Sequence, residues 1–206
     1  NLINIAPKEI LRDESIIDLF NLCDKNIVTG NQQIISKVKK SPKPFLVFGT
    51  GNVPIIIDRT AKLEKASKSI VLSKSFDNST SCSADSVLVV DGKIYNKLIE
   101  NLKKDNVYFL NENQKKKLDE IYFRKGMINT EIIAKNANTI LEKIGIDNNN
   151  RKYKLVAYEV ENFDFNHYIF DEKILPLIGI IKSKNINNAI ELVEKILDKK
   201  GKGHSA

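Results

Sequence analysis

NIVTGNQQIISKVKKSPKPFLVF, Asn26 to Phe48, decides the fold class. Asn26 to Thr29 reads as a short strand, and Gly30 ends it. Over 32–40, Ile34, Ile35 and Val38 fall on one helical face, and Ser41-Pro42-Lys43-Pro44 stops that helix before a second apolar run, Phe45 to Phe48. Strand, helix and buried strand in this order make a βαβ unit, which predicts parallel pairing with a right-handed crossover.

The same alternation continues on both sides. Upstream, Ile16, Leu19, Phe20 and Cys23 follow the i, i+3, i+4, i+7 spacing, so a helix is expected over 13–24 with Asp13 as N-cap and Cys23 facing the core. Downstream, helices are expected over 61–74, 95–104, 113–122, 136–144 and 186–199, and strands over 86–90, 154–158 and 177–181. The class is α/β with a parallel sheet. Asp147 to Arg151 is a polar connection, and no internal repeat is visible.

Composition narrows the function. With 206 residues and 42% hydrophobic content, the chain can bury a substantial core. It has no signal-peptide pattern and no apolar run long enough for a membrane span, and its two cysteines are far apart; a reducing, cytoplasmic setting is expected. The net charge of +7 raises the question of nucleic acid. Four of the 33 basic residues are arginine, and the lysines sit mostly among acids, as in NLKKD and ENQKKKLDE. Lysine is the weaker tool for bidentate recognition, so a solvated lysine surface is expected rather than a nucleic-acid partner. No metal site is read from the sequence.

Two features point to chemistry. Gly30 closes a strand and opens a helix, where free backbone N–H groups can meet an anion such as a phosphate, and Gly49 and Gly51 in GTGN follow the strand ending at Phe48, at the carboxyl edge where α/β sheets place ligands. Alone the signal is weak, since most such turns bind nothing and neither GxGxxG nor GxxxxGK[ST] occurs. The second feature is Cys82, in DNSTSCSADS between a helical segment and a strand. Polar small residues surround it, which suits a nucleophile better than a core thiol. His167 and His204 stand at no spacing that identifies a Cys–His pair.

The stretch GTGNVPIIIDRTAKLEKASKSIVLSKSFDNSTSC, ending on Cys82, resembles the catalytic core of the aldehyde dehydrogenase superfamily, in particular its CoA-acylating branch, which reads GxGNxPxxID, a helix, then SKxFDNGxxCxSE. VTGNQQIISKVKKSPKP is similar to TGGPxMVxxAxxSGxP, DEKILPLIGI to EKLxPVLA, and GKGHSA to GxGHTA. The likeness keeps one order from about Lys25 to Ala206 and is thin between Asp91 and Met127.

The resemblance implies an oxidoreductase that converts an aldehyde reversibly to acyl-CoA. Cys82 would be the nucleophile, its backbone N–H an oxyanion donor. NAD or NADP would be the cofactor and coenzyme A the co-substrate. Thr29, Gly30 and Asn31 match the turn near the cofactor phosphates, Gly49 the following glycine segment, and Glu172 the acid that takes the nicotinamide-side ribose hydroxyls. In the hydrolytic branch a glutamate activates water; Phe48 stands in its place, which favours release by a thiol. The alternatives are a hydrolytic aldehyde dehydrogenase and a non-catalytic remnant or binding module of the same fold. The expected division is 1–48, the end of a Rossmann-like cofactor domain, and 49–206, a truncated catalytic domain. The family's dinucleotide domain precedes the matched part, so this stretch alone is expected to be inactive, and the complete protein to be a homo-oligomer. Three departures, Ser79 for glycine, Asn31 for the second glycine of TGG and Asp85 for glutamate, leave the substrate open, polar aldehydes such as sulfoacetaldehyde included.

Overall fold

The computed structural model describes residues 5–7, 9, 13–30, 32–124, 126–161 and 163–199. Asn31 and the GKGHSA motif lie outside that set. The chain divides into two units, Asn1–Thr50 and Gly51–Ala206.

In the first unit, α1 (Asp13–Leu22) leads to β1 (Asn26–Thr29), α2 (Gln32–Val38) and β2 (Phe45–Phe48). β1 and β2 pair in parallel, Asn26 opposite Phe45 and Thr29 opposite Phe48. Val28, Ile35 and Val38 are buried where α2 packs on β1. Asn26 Nδ2 and Ser41 Oγ both donate to the Phe20 carbonyl, at 3.0 and 3.3 Å, which ties the end of α1 to the strand and to the helix stop.

Two expectations fail in this unit. Cys23 is exposed, not core-facing, because α1 ends at Leu22 and the helical face that would carry the thiol inward has already stopped. β2 is not buried either: Leu46 is 47% and Phe48 51% exposed. A two-stranded sheet packed by one short helix leaves its other face and edges to solvent.

The second unit is built on one all-parallel sheet. In chain order it holds β3 (Val53–Ile57), α3 (Leu63–Ser75), β4 (Asp85–Asp91), α4 (Tyr95–Lys104), β5 (Val107–Phe109), α5 (Glu112–Tyr122), β6 (Phe123–Arg124), β7 (Met127–Ile128), α6 (Ala137–Lys143), β8 (Leu155–Val160), β9 (Leu177–Ser183) and α7 (Ile186–Lys199). The five-stranded order is β3-β4-β9-β8-β5, every pair parallel; β6 and β7 form a separate small antiparallel hairpin.

Helices cover both faces, and the alternation along β4 shows why. Val87 and Val89 join one core with Leu118 and Tyr122 of α5, Ile140 and Leu141 of α6, and Leu192 and Ile196 of α7. Leu88 and Val90 join the other, with Ile70 and Val71 of α3 and Leu98 and Leu102 of α4. A strand covered on both sides needs an unbroken apolar run, and SVLVV provides it. β4 is buried along its whole length.

The expected strands and helices form, with ends within two residues of the expected positions. β3 and β5 were not anticipated. Pro54 interrupts the first, and it is tolerated because β3 is an edge strand with a register shift at Val53/Pro54. β5 has only three residues, too few for a period to register. Among the described residues no helix is long and apolar enough to cross a membrane.

Candidate active site

The turn that carries Cys82 begins where α3 stops. Asp77, Asn78 and Ser79 take φ of 46, 50 and 65°, three successive left-handed residues that turn the chain back toward β4. Asp and Asn accept that region readily. Ser79 does so at a cost of about 1 kcal/mol or more. It is buried, and its Oγ donates to the Lys173 carbonyl at 3.4 Å. Thr80 closes the turn, its N–H donating to the Asp77 carbonyl at 3.1 Å and its Oγ1 to Asp77 Oδ2 at 2.6 Å. Cys82 then stands exposed at the amino end of β4.

Two further segments meet this turn. The Gly51 N–H donates to Glu172 Oε1 at 2.9 Å across 121 residues of sequence. A Cβ at Gly51 would lie 2.9 Å from the Cys82 carbonyl carbon and closer still to its oxygen, so the Cys82 backbone packs on bare Gly51 Cα. Only glycine permits that approach. Asn52, buried beside it, donates through Nδ2 to the Phe170 carbonyl at 2.6 Å. Cys82 and Glu172 therefore converge through Gly51, at the amino ends of β3, β4 and β9.

That edge is opposite to where open α/β sheets usually hold ligands. The carboxyl edge does carry a cavity of about 830 Å³, lined by Tyr95, Glu159, Glu161, Lys93 and Lys182 among others. It contains none of the candidate residues. Its charges are mixed, and the Tyr95 hydroxyl is already hydrogen-bonded to Glu159 Oε1 at 2.7 Å.

Beneath the thiol turn lie two buried lysines that depart from the expected solvated lysine surface. Lys74 is 1% and Lys173 2% exposed. Burial pulls Lys74 down to about 7, against the opposing pull of the Asp85 and Glu172 carboxylates. Burial also raises Asp85, although Ser73 Oγ donates to its Oδ1 at 2.9 Å. Lys173 Nζ donates to three oxygens: the Ile169 carbonyl at 2.6 Å, Ser86 Oγ at 2.7 Å and the Asp171 carbonyl at 2.9 Å. Burial lowers Lys173 well below its ordinary value. Three acceptors nonetheless require three N–H donors, which the ammonium has and a neutral amine lacks.

The remaining candidates belong to the first unit. Thr29 ends β1, and Gly30 takes φ of +149°, where a Cβ would meet Ile34 Cγ2 at 2.8 Å. The Gly30 N–H donates to the Phe48 carbonyl at 3.2 Å, so it is not the free anion donor the turn suggested. Gly49 has ordinary space, with Ile35 Cδ1 3.6 Å from a would-be Cβ. Lys74, Lys173 and Ser86, which the sequence reading did not single out, also meet at this junction. The available signal was that both lysines sit inside the quoted motifs, SKSFDN and DEKILP, and not on a polar helix face.

Residues 25–118 match the aldehyde dehydrogenase family model. An aldehyde-alcohol dehydrogenase of Clostridium acetobutylicum is 28% identical over 207 residues, 98% of this chain and 24% of that protein. The crystal structure of an acetylating aldehyde dehydrogenase from Geobacillus thermoglucosidasius superposes with a TM-score of 0.86 at 32% identity, covering 92% of this chain and 42% of that one. A Rhodopseudomonas palustris propionaldehyde dehydrogenase with bound propionyl-CoA gives 0.76 at 28% identity, over 84% and 38%. The chain thus spans about a quarter of that curated relative and under half of either solved structure. Family match, parallel fold and the order of the motifs agree: over residues 25–118 this chain matches the aldehyde dehydrogenase family, and over most of its length it is similar to acylating members of that family.

Proposed function

We propose that this chain carries the thiol-bearing part of an acylating aldehyde dehydrogenase, an oxidoreductase that interconverts an aldehyde and acyl-CoA through a thioester on Cys82. The observation that carries the reading is the junction at Gly51, which binds the Glu172 carboxylate through its amide and seats the Cys82 backbone against its Cα. A nucleophile and a carboxylate from distant segments gain a fixed relation there, which is what proximity and orientation require.

Cys82 Sγ adds to the aldehyde carbonyl to give a thiohemiacetal, while the Cys82 backbone N–H donates to the developing oxyanion. A nicotinamide cofactor, NAD or NADP, accepts the hydride when bound. A partly buried carboxylate held by a backbone amide is an acceptor suited to a ribose diol, and Glu172 has that form. Thr29, Asn31 and Gly49 are the further residues assigned to the cofactor; Gly30 contributes the turn, not its N–H. The thiol of coenzyme A then attacks the Cys82 thioester and carries the acyl group away, returning the Cys82 thiol. Phe48 offers no carboxylate to activate water, which favours the thiol acceptor over hydrolysis.

The first unit is assigned to the end of the cofactor domain and the second to the catalytic domain. A homo-oligomer working in the cytoplasm completes the proposal, and two free cysteines suit a reducing compartment.

The test is acyl transfer in the protein expressed from its complete coding sequence. Incubated with an acyl-CoA and no reduced cofactor, the protein should gain one acyl group on the peptide that contains Cys82 and none on that of Cys23, by mass mapping. Aldehyde with oxidised cofactor but no CoA should yield at most a stoichiometric burst of reduced cofactor. Steady release of free acid at the same rate with and without CoA would overturn the acylating assignment.

A further inference from the structure

The carbonyls on either side of Glu172 are each held by a buried lysine. The Asp171 carbonyl accepts from Lys173 Nζ at 2.9 Å and from Ser86 Oγ at 3.2 Å. The Lys173 carbonyl accepts from Lys74 Nζ at 3.1 Å and from Ser79 Oγ at 3.4 Å. Lys74 lies just before the thiol turn, Ser79 lies within it, and Ser86 lies just after it. Glu172 is therefore clamped from both flanks of the Cys82 turn, while its own carboxylate closes the circuit through Gly51.

A stable fold does not ask for this arrangement. Two buried ammoniums within one small cluster are costly, and apolar side chains of the same length would fill the space at less expense. Charge kept in such a place orients something. We propose that Lys74 is a positioning residue of this site: its ammonium, matched by the carboxylates of Asp85 and Glu172, holds the backbone of the Glu172 segment in register with the Cys82 turn, so that cofactor and thiol meet in the reactive geometry. The inference rests on the reading of Cys82 and Glu172 as one active site.

The groups facing Lys74 are Asp85 at the start of β4, Glu172 on the segment before β9, and the like charge of Lys173. Because burial brings Lys74 to about 7, the ammonium is lost as pH climbs through neutrality, and its attraction for Glu172 goes with it. The hydrogen bond to the Lys173 carbonyl can persist with the neutral amine; the charge match cannot.

Lys74→Met in the full protein keeps the length and apolar stem and removes the ammonium. The expected result is a cofactor KM raised about tenfold or more, with acyl transfer from acyl-CoA to Cys82, which involves no nicotinamide, changed several-fold less. In the wild type the cofactor KM should rise as pH increases through about 7, and in Lys74→Met that rise should be absent. Ser86→Ala, which loosens the other side of the clamp, should raise the cofactor KM by a smaller factor; if Lys74→Met fails to fold, this variant and the wild-type pH profile decide. A cofactor KM indifferent to pH in the wild type, or unchanged in a folded Lys74→Met, overturns the proposal. Absence of acyl transfer to Cys82 in the wild type is a different failure: it removes the parent reading, and this one falls with it.

Discussion

Gly51→Ala is the substitution on which the geometry speaks most directly. The new methyl group would lie 2.9 Å from the Cys82 carbonyl carbon and 3.3 Å from its Cα, with the carbonyl oxygen nearer than either. All three are backbone atoms, so no rotamer change relieves the clash. The Cys82 turn or the Gly51 strand entry has to retreat by roughly 1 Å, and a misplacement of about that size costs on the order of 10²-fold in rate. Overpacking of this kind costs about 1–3 kcal/mol in stability, equivalent to a Tm lower by roughly 2–12 °C for a domain of this size. If Gly51 moves instead of Cys82, its 2.9 Å hydrogen bond to Glu172 breaks and the cofactor KM rises. The assay is therefore threefold: a melting curve, the rate of acyl transfer to Cys82 and the cofactor KM. Gly49→Ala is the control for stability, because its methyl group would meet only Ile35 Cδ1 at 3.6 Å and should leave Tm nearly unchanged. A Gly51→Ala protein with wild-type Tm and wild-type acyl transfer would show that the thiol turn does not depend on this contact, and the argument for the junction would collapse.

Two further expectations concern stability. Ser79→Gly should be neutral or stabilising by up to about 1 kcal/mol, because glycine accepts the left-handed φ of 65° freely and the hydrogen bond lost is a long one, 3.4 Å; a clear drop in Tm would contradict it. For Lys74 the folded value of about 7 lies below the ordinary 10.5 of the unfolded chain, so its contribution to stability is fully present above 10.5, falls by about 1.4 kcal/mol per pH unit on descending to 7, and is constant below. Denaturant unfolding of wild type and Lys74→Met across pH 7 to 10.5 should differ by that slope, and parallel curves would refute the buried charge.

The failed expectation for Cys23 also changes how the thiols are told apart. Both cysteines are exposed, so burial does not distinguish them, and acyl transfer is the discriminating experiment. The buried lysine of α3 shows the reverse case. Lys65 and Lys68 are not buried, whereas Lys74 follows Val71 and Ile70 at i+3 and i+4 on the buried stripe of the helix, where the Lys173 carbonyl accepts from its Nζ.

What the sequence determined by itself was local. Apolar spacing and turn chemistry located β1, α2, β4, β9 and α7, because periodicity and stop signals act within a few residues. The order of the motifs named Cys82 and Glu172 as candidates through resemblance. Tertiary structure alone decided which of these candidates touch. The Gly51 amide finds Glu172 across 121 residues, Lys74 finds the Lys173 carbonyl across 99, and Lys173 finds Ser86 across 87. No local pattern encodes such contacts. They arise because parallel strands bring the loops at their amino ends to one edge of the sheet, and because a buried ammonium must take whatever oxygen that packing presents.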